Sequence, residues 1–273
     1  NLLLSSTHPF VIPAKYAFQN ETDVFIASEI TDCCKLSQIL KDGRMLPMET
    51  VVFYTAQIIS AIGHIHSMGI IHRNIQDSSI IINRDGYLEV SGFGCISLAE
   101  NNSAMTFIGT PEYVAPEMFT GGLYGKAVDW WSLGILVYQM AFGSFPFSGS
   151  NISNLYTEIL TKDPEFPPDA PPEIVGFVLQ TIHKDPNERL GSGIDDFNEL
   201  CAHPMLTGID WNALLKKQIK PPWIPSEADF ASSQIDIQSL DKDNTFTDPS
   251  LVDSSAQELL VGFSCVNLFL DLP

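Results

Sequence analysis

The chain has 273 residues, enough for one large domain or two modest ones, with the apolar, glycine and proline content of an ordinary folded protein. Its 33 acidic residues against 14 basic ones give a net charge of −19, which argues against nucleic acid or an anionic membrane as a direct partner. No apolar run approaches the ~20 residues that would cross a bilayer, so no membrane span is expected.

The first residues, Asn1-Leu2-Leu3-Leu4, have neither the basic region nor the length of a signal peptide, and no initiator Met precedes them; a chain cut from a longer protein is expected. His8-Pro9-Phe10 leads into two β-type runs, 11–18 and 24–30, with a polar turn between them. Residues 35–40 suit a short helix. Across 48–68 the apolar residues Val52, Ala56, Ile59, Ile62 and Ile65 recur at helical spacing, which predicts a long helix with one buried stripe, stopped at Gly69. His64 and His66 are two apart and do not share a helix face, a poor arrangement for a metal.

Residues 80–82 and 87–90 flank Asn83-Arg84-Asp85-Gly86, the pattern of a hairpin with an Asp-Gly turn. From 129 to 140 apolar residues cover nearly every face, the mark of a central buried helix. Further helices are expected at 151–161, 172–183 and 194–203. After Pro225 the composition turns acidic and polar, with Lys242 as the only base, and reads as a solvated tail. The apolar block 259–270 inside it is expected to dock on the domain it follows; disorder with a sticky end is the alternative. The five cysteines, Cys33, Cys34, Cys95, Cys201 and Cys265, lack metal-site spacing, so reduced thiols in a cytoplasmic or nuclear compartment are expected.

The stretch that organises the chain is His72-Arg73-Asn74-Ile75-Gln76-Asp77-Ser78-Ser79-Ile80-Ile81, followed by Ser91-Gly92-Phe93-Gly94. Its framework matches the kinase motifs H-R-D-L-x-x-x-N and D-F-G. Gly109-Thr110-Pro111-Glu112-Tyr113-Val114-Ala115-Pro116-Glu117 resembles the segment ending in A-P-E. Asp129-Trp130-Trp131-Ser132-Leu133-Gly134 resembles the start of the kinase central helix, and Arg189-Leu190-Gly191 with His203-Pro204 resembles the rest of the large lobe. The chain is thus similar to the AGC group of serine/threonine protein kinases, most of all the ribosomal-protein S-six kinases, whose likeness extends to Tyr16-Ala17-Phe18-Gln19 and to the tail around Phe246-Thr247 and Val252-Asp253-Ser254.

The resemblance implies an α+β fold of protein-kinase type: a truncated β small lobe over 1–30, a mainly α large lobe over 31–206, and an AGC-type C-terminal tail over 207–273. It also implies a set of roles. Asn74 stands where the family has its catalytic Asp, Gln76 where it has the phosphate-facing Lys, and Ser79 and Gly92 where it has the two metal ligands. Glu29 and Ile30 would form the hinge facing adenine and Ile81 the floor beneath it. Arg73 would grip a phosphate on Thr106, and Ser254 and Ser264 match the tail phosphosites. His72 and Phe93 would stack in the hydrophobic spine, Glu117 and Arg189 would pair, and Asp129 would anchor the loop backbone. Leu260 and Cys265 depart from the aromatic positions of the tail's hydrophobic motif, which weakens its expected docking. The resemblance begins near the family's fourth strand, so the family's Gly-rich loop and strand Lys have no counterpart among the residues given.

An amide cannot accept a proton near neutral pH and a glycine offers no ligand, so proton acceptor, cation and metal clamp are lost together. Losing only one charge of such a pair would strand the other at about 3–5 kcal/mol; losing both leaves a neutral amide pair with reach to Thr110. The acidic residues with which AGC kinases read basic peptides match Lys35, Ser78 and Gln139, none of them acidic. Asp77 and Ser91 lie near the lost positions without the needed geometry. The expectation is a pseudokinase acting as scaffold or allosteric regulator with protein partners in kinase signalling, an upstream activating kinase among them, ATP as its ligand and magnesium disfavoured. A working serine/threonine kinase is the alternative.

Overall fold

The structure is a computed structural model that describes residues 7–19, 24–28, 33–98, 109–121, 123–193, 195–231 and 265–266. Two antiparallel strands, β1 (Ala14–Gln19) and β2 (Val24–Ser28), are the first elements among the described residues. The expected strand 11–18 starts late because Pro13 cannot donate to a ladder. Val11 forms only an isolated bridge to Val90, and Ile12 N–H donates to Val90 O at 3.0 Å. β3 (Cys33–Lys35), a one-turn α1 (Leu36–Ile39) and the long α2 (Met48–Ser67) follow. α2 carries Pro47 at its N-cap and Glu49 in its first turn, both suited to a helix start.

β4 (Ile70–Ile71) pairs with β7 (Ser97–Leu98), and β5 (Ile80–Asn83) and β6 (Leu88–Val90) form the hairpin that the Asp-Gly pair predicts, with Gly86 at φ 83°. β3 joins the outer edge of this hairpin, Cys34 opposite Ile82. α2 is buried around most of its circumference rather than along one stripe. It packs at once against the hairpin, against the central helix α4 (Ala127–Phe142) and against the short α7 (Phe197–Cys201). Its buried Gln57 accepts the Leu88 N–H at 3.0 Å and donates to Phe53 O, so helix and hairpin are tied by a satisfied polar group.

α4 runs through the middle of the molecule, with Trp130, Trp131 and Leu133 to Val137 out of contact with solvent. The segment 116–119 is a single helical turn, α3 (Pro116–Phe119), and α5 (Ile152–Thr161) and α6 (Pro172–Thr181) match the predicted spans to within two residues at either end. The helix expected over 194–203 shrinks to α7, because Asp196 sits at φ 35°, ψ −102° and Pro204 follows. α6 closes on α4 at Gly134, where a Cβ would lie 2.4 Å from Thr181 Oγ1 and 2.6 Å from Ile182 Cγ2. The Thr181 hydroxyl donates to Phe177 O and cannot swing aside freely. Gly134→Ala therefore costs about 1–3 kcal/mol by overpacking, against a helix-propensity gain of about 1 kcal/mol. Urea denaturation measures it, and a stabilised variant would show that α6 can yield.

Beyond α8 (Trp211–Leu215) the chain does not run off into solvent at Pro225 as its composition suggests. Residues 219–231, ending in α9 (Glu227–Ala231), lie against the hairpin and the α1–α2 connection. Tyr87 donates its hydroxyl to Ile219 O, Arg44 meets Asp229 at 2.6 Å and Arg84 covers the Phe230 ring at 4.6 Å. Phe230 is 7% exposed and accounts for the docking, since exposed ion pairs add little. Of the apolar block 259–270, β8 (Cys265–Val266) is described; it pairs with β1, Tyr16 opposite Val266, as the third strand of the first sheet. No helix of the described residues is long and apolar enough to cross a membrane.

Candidate active site: a loop closed on itself

The loop between β4 and β5 carries residues 72–79, and the turn after β6 carries 91–95; both are held from beneath by α4. Asp129, fully buried, accepts the backbone N–H of His72 at 2.8 Å and of Arg73 at 2.7 Å, the anchoring role expected of it. A backbone so pinned lets Arg73 hold the left-handed φ of 62° that a non-glycine residue otherwise avoids.

Beneath Asp129 lies a residue that motif reading missed. His66 places Nε2 2.9 Å from Asp129 Oδ2 and Nδ1 3.2 Å from Asp196 Oδ2, with no exposure. Burial disfavours the charged ring, but the hydrogen bonds and charges of the two carboxylates outweigh it and hold His66 above its ordinary pKa. Burial also opposes ionised Asp129, yet His66 keeps that carboxyl below its usual range. Trp130 Nε1 donates to Asp196 at 2.6 Å. A buried helical His with both ring nitrogens spoken for has no local signal, since Asp129 and Asp196 come from far along the chain.

His72 and Phe93 meet edge to face, their ring centroids 5.3 Å apart. His72 Nε2 donates to Ser91 O at 3.0 Å and its Nδ1 accepts the Asn74 N–H, a neutral ring whose pKa burial lowers. Asn74, Gln76, Ser79 and Gly92, the positions expected to bear on chemistry, touch one another. Gln76 Nε2 donates to Asn74 Oδ1 at 2.9 Å, and Asn74 Nδ2 donates to Gly92 O at 3.4 Å. Ser79 Oγ donates to Gln76 O at 2.8 Å and accepts the Gln76 N–H at 3.0 Å. Gly92 lies at φ 86°, and a Cβ there would stand 2.9 Å from Asn74 Nδ2 and 3.1 Å from Ser79 Cβ. Thr110 joins Asn74, Gln76, Tyr113 and Ser132 around a cavity of about 10 Å³, room for one water. The amide pair bonds within itself rather than to Thr110.

Arg73 spends its guanidinium locally. Nε donates to Cys95 O, Nη2 to Ile96 O at 3.1 Å and Nη1 to Tyr124 OH at 3.1 Å. Arg189 forms two bonds to the Glu117 carboxylate, at 2.6 and 2.9 Å, plus bonds to His183 O and Ala127 O, so the expected pair is in place. Ile81, half-buried on β5, lies opposite Lys35 and Glu89 in the register. Ser91 Oγ is bonded to Ser79 O, and Asp77 accepts from Gln139 Nε2 at 3.1 Å. Gln139 in turn accepts from Tyr113 OH. Burial raises the Asp77 pKa. Asp77 and Gln139 thus form a polar link between loop and central helix that spacing alone did not reveal. Glu29, Ile30, Thr106, Ser254 and Ser264 lie outside the described residues.

Residues 1–206 match the family model of the protein kinase domain. The RAC serine/threonine-protein kinase of Drosophila melanogaster is 36% identical over 246 residues, 89% of this chain and 40% of that protein. Human RAC-beta serine/threonine-protein kinase is 32% identical over 246 residues, 89% of this chain and 50% of its own length. A probable serine/threonine-protein kinase of Dictyostelium discoideum is 34% identical over 272 residues, 97% of this chain and 59% of its own. The chain spans 40 to 59% of the length of these relatives, and the RAC kinases place its homologues in the AGC group. With an α+β architecture, an anchored 72–79 loop and this match over three quarters of its length, the chain belongs to the protein kinase domain family.

Proposed function

We propose that this chain is a catalytically impaired AGC-type kinase domain, a pseudokinase that serves kinase signalling as a scaffold or allosteric regulator. The observation that carries the reading is the mutual engagement of Asn74, Gln76, Ser79 and Gly92. Phosphoryl transfer is positioning plus charge neutralisation around a bound nucleotide and metal. Here the base position is an amide, and loss of a general base alone costs about two to four powers of ten in rate.

Magnesium does not fit these residues. It asks for oxygen ligands in near-octahedral geometry, whereas Gly92 has no side chain and the space for one is taken by Asn74 and Ser79. The Ser79 hydroxyl already donates and accepts within its own loop. What this chain's residues do instead is hold the loop: Asp129 fixes its backbone, His72 and Phe93 its underside, Arg73 the segment after Gly94. ATP remains a ligand of this reading, resting on Ile81, and an upstream kinase acting on Thr106, Ser254 or Ser264 remains a partner. Cysteines without metal-site spacing, read as reduced thiols, are what supports a cytoplasmic or nuclear place in this reading. The finer likeness to the ribosomal-protein S-six kinases rests on His8-Pro9-Phe10, on Tyr16-Ala17-Phe18-Gln19 and on the tail stretches around Phe246-Thr247 and Val252-Asp253-Ser254.

The test is thermal stabilisation of the full-length protein by ATP with and without magnesium, alongside phosphotransfer to a basic peptide, in wild type and Asn74→Asp. The expected outcome is no turnover in either protein and no magnesium-dependent shift. A large gain of activity from Asn74→Asp alone, or magnesium-dependent stabilisation with turnover, overturns the proposal.

A further inference from the structure

Two imidazoles are stacked where the described chain begins. The ring of His8 lies 4.8 Å from that of His64 on α2, their planes 16° apart. His8 Nδ1 accepts the Phe10 N–H at 3.3 Å, and its Nε2 is 3.1 Å from Ser60 Oγ. A nitrogen that accepts an N–H keeps its lone pair, so the proton sits on Nε2 and is donated to Ser60. The two hydrogen bonds therefore select one neutral tautomer. A second proton would abolish the Phe10 bond and place a cation face to face with His64.

That bond holds a larger contact. Phe10 is fully buried, stacked over Tyr87 at 6.1 Å, and its carbonyl accepts the Val90 N–H at 2.8 Å. Ile12 N–H returns to Val90 O at 3.0 Å. Val90 ends β6 and leads directly into Ser91-Gly92, so the segment 8–12 braces the strand that delivers the candidate site.

We propose that the His8–His64 stack is a proton-sensitive clasp, in which neutral rings hold residues 8–12 on α2 and β6 and protonation releases them. From α2 the groups facing His8 are His64 and the neutral Ser60. From the hairpin side Tyr87 lies beyond Phe10, with its hydroxyl bonded to Ile219 O. Among the described residues His64 is the titratable group whose charge acts on His8; burial first, and His64 second, push His8 down from 6.5 to about 4. Burial also lowers His64. Between those limits the released segment binds more protons than the docked one. The clasp is then complete above pH 6.5 and is lost as the pH falls toward 4.

Amide hydrogen exchange at Ile12 and Val90, whose N–H groups cross the contact, reads the clasp in the full chain. Below pH 6.5 protection should fall by up to about tenfold per pH unit, the steepness of one proton. In His8→Asn the pH dependence should flatten, because Asn offers an acceptor to the N–H two residues on and takes up no proton. Equal slopes in the two proteins overturn the proposal. If the variant does not fold, NMR titration of the wild-type His8 ring decides. A ring still neutral at pH about 5 supports the clasp, and one titrating near 6.5 overturns it.

Discussion

Arg189→Met lowers the stability of this domain by about 3–5 kcal/mol, the cost of leaving one member of a buried ion pair without the other. Arg189 has no exposure, and its guanidinium serves Glu117 twice, His183 O and Ala127 O while lying 5.2 Å from the Trp131 ring. Met keeps much of the volume and none of the donors. Four acceptors on three different segments are then orphaned together. Urea unfolding of the variant measures the loss, and the double variant with Glu117→Gln should recover part of it because the stranded charge is gone. A loss below about 1 kcal/mol would mean that water reaches Glu117 and that the pair is a surface contact.

His66→Leu carries a comparable cost by a different route. The imidazolium is the cation that lies against both Asp129 and Asp196, so an apolar replacement strands the buried Asp129 carboxylate, again about 3–5 kcal/mol, while the half-buried Asp196 keeps Lys126 at 3.8 Å. The pH signature separates it from a mere packing defect. Because the folded-state pKa of His66 is raised, its stabilisation is fully present below the unfolded value of 6.5 and is lost as the pH rises through the folded value. Wild type should show that alkaline decline in unfolding free energy and His66→Leu should not. If both decline alike, the ring is not the charged member of the network. His8 and His66 thus bias the same chain in opposite directions, one weakening its contact with acid and the other with base.

Much of this was legible beforehand where the signal is local. The 3.6 period over 48–68 located α2 within a residue at its end, and Asp85-Gly86 located the hairpin turn. Pro13 and the conformation of Asp196 trimmed a strand and a helix that periodicity alone had extended. Motif letters correctly paired Glu117 with Arg189 and placed Asp129 under the loop backbone. What stayed hidden depends on residues brought together by the fold. His66 finds its carboxylates 63 and 130 residues away, and Gln139 reaches Asp77 across 62. The same holds for the stretch from 226 to 231, whose place in a polar tail suggested solvent while the buried Phe230 holds it.

The contacts among Asn74, Gln76, Ser79 and Gly92 couple the four positions to one another. A carboxylate added at Gly92 alone collides with the Asn74 amide, and a lysine at Gln76 alone has no anion to meet at position 74. An asparagine at Ser79 alone opens both hydrogen bonds that close the 76–79 turn. Each of these three changes, made alone, disturbs contacts that the other positions keep. Substitutions among these four residues should therefore be non-additive, each one altering contacts that the others make.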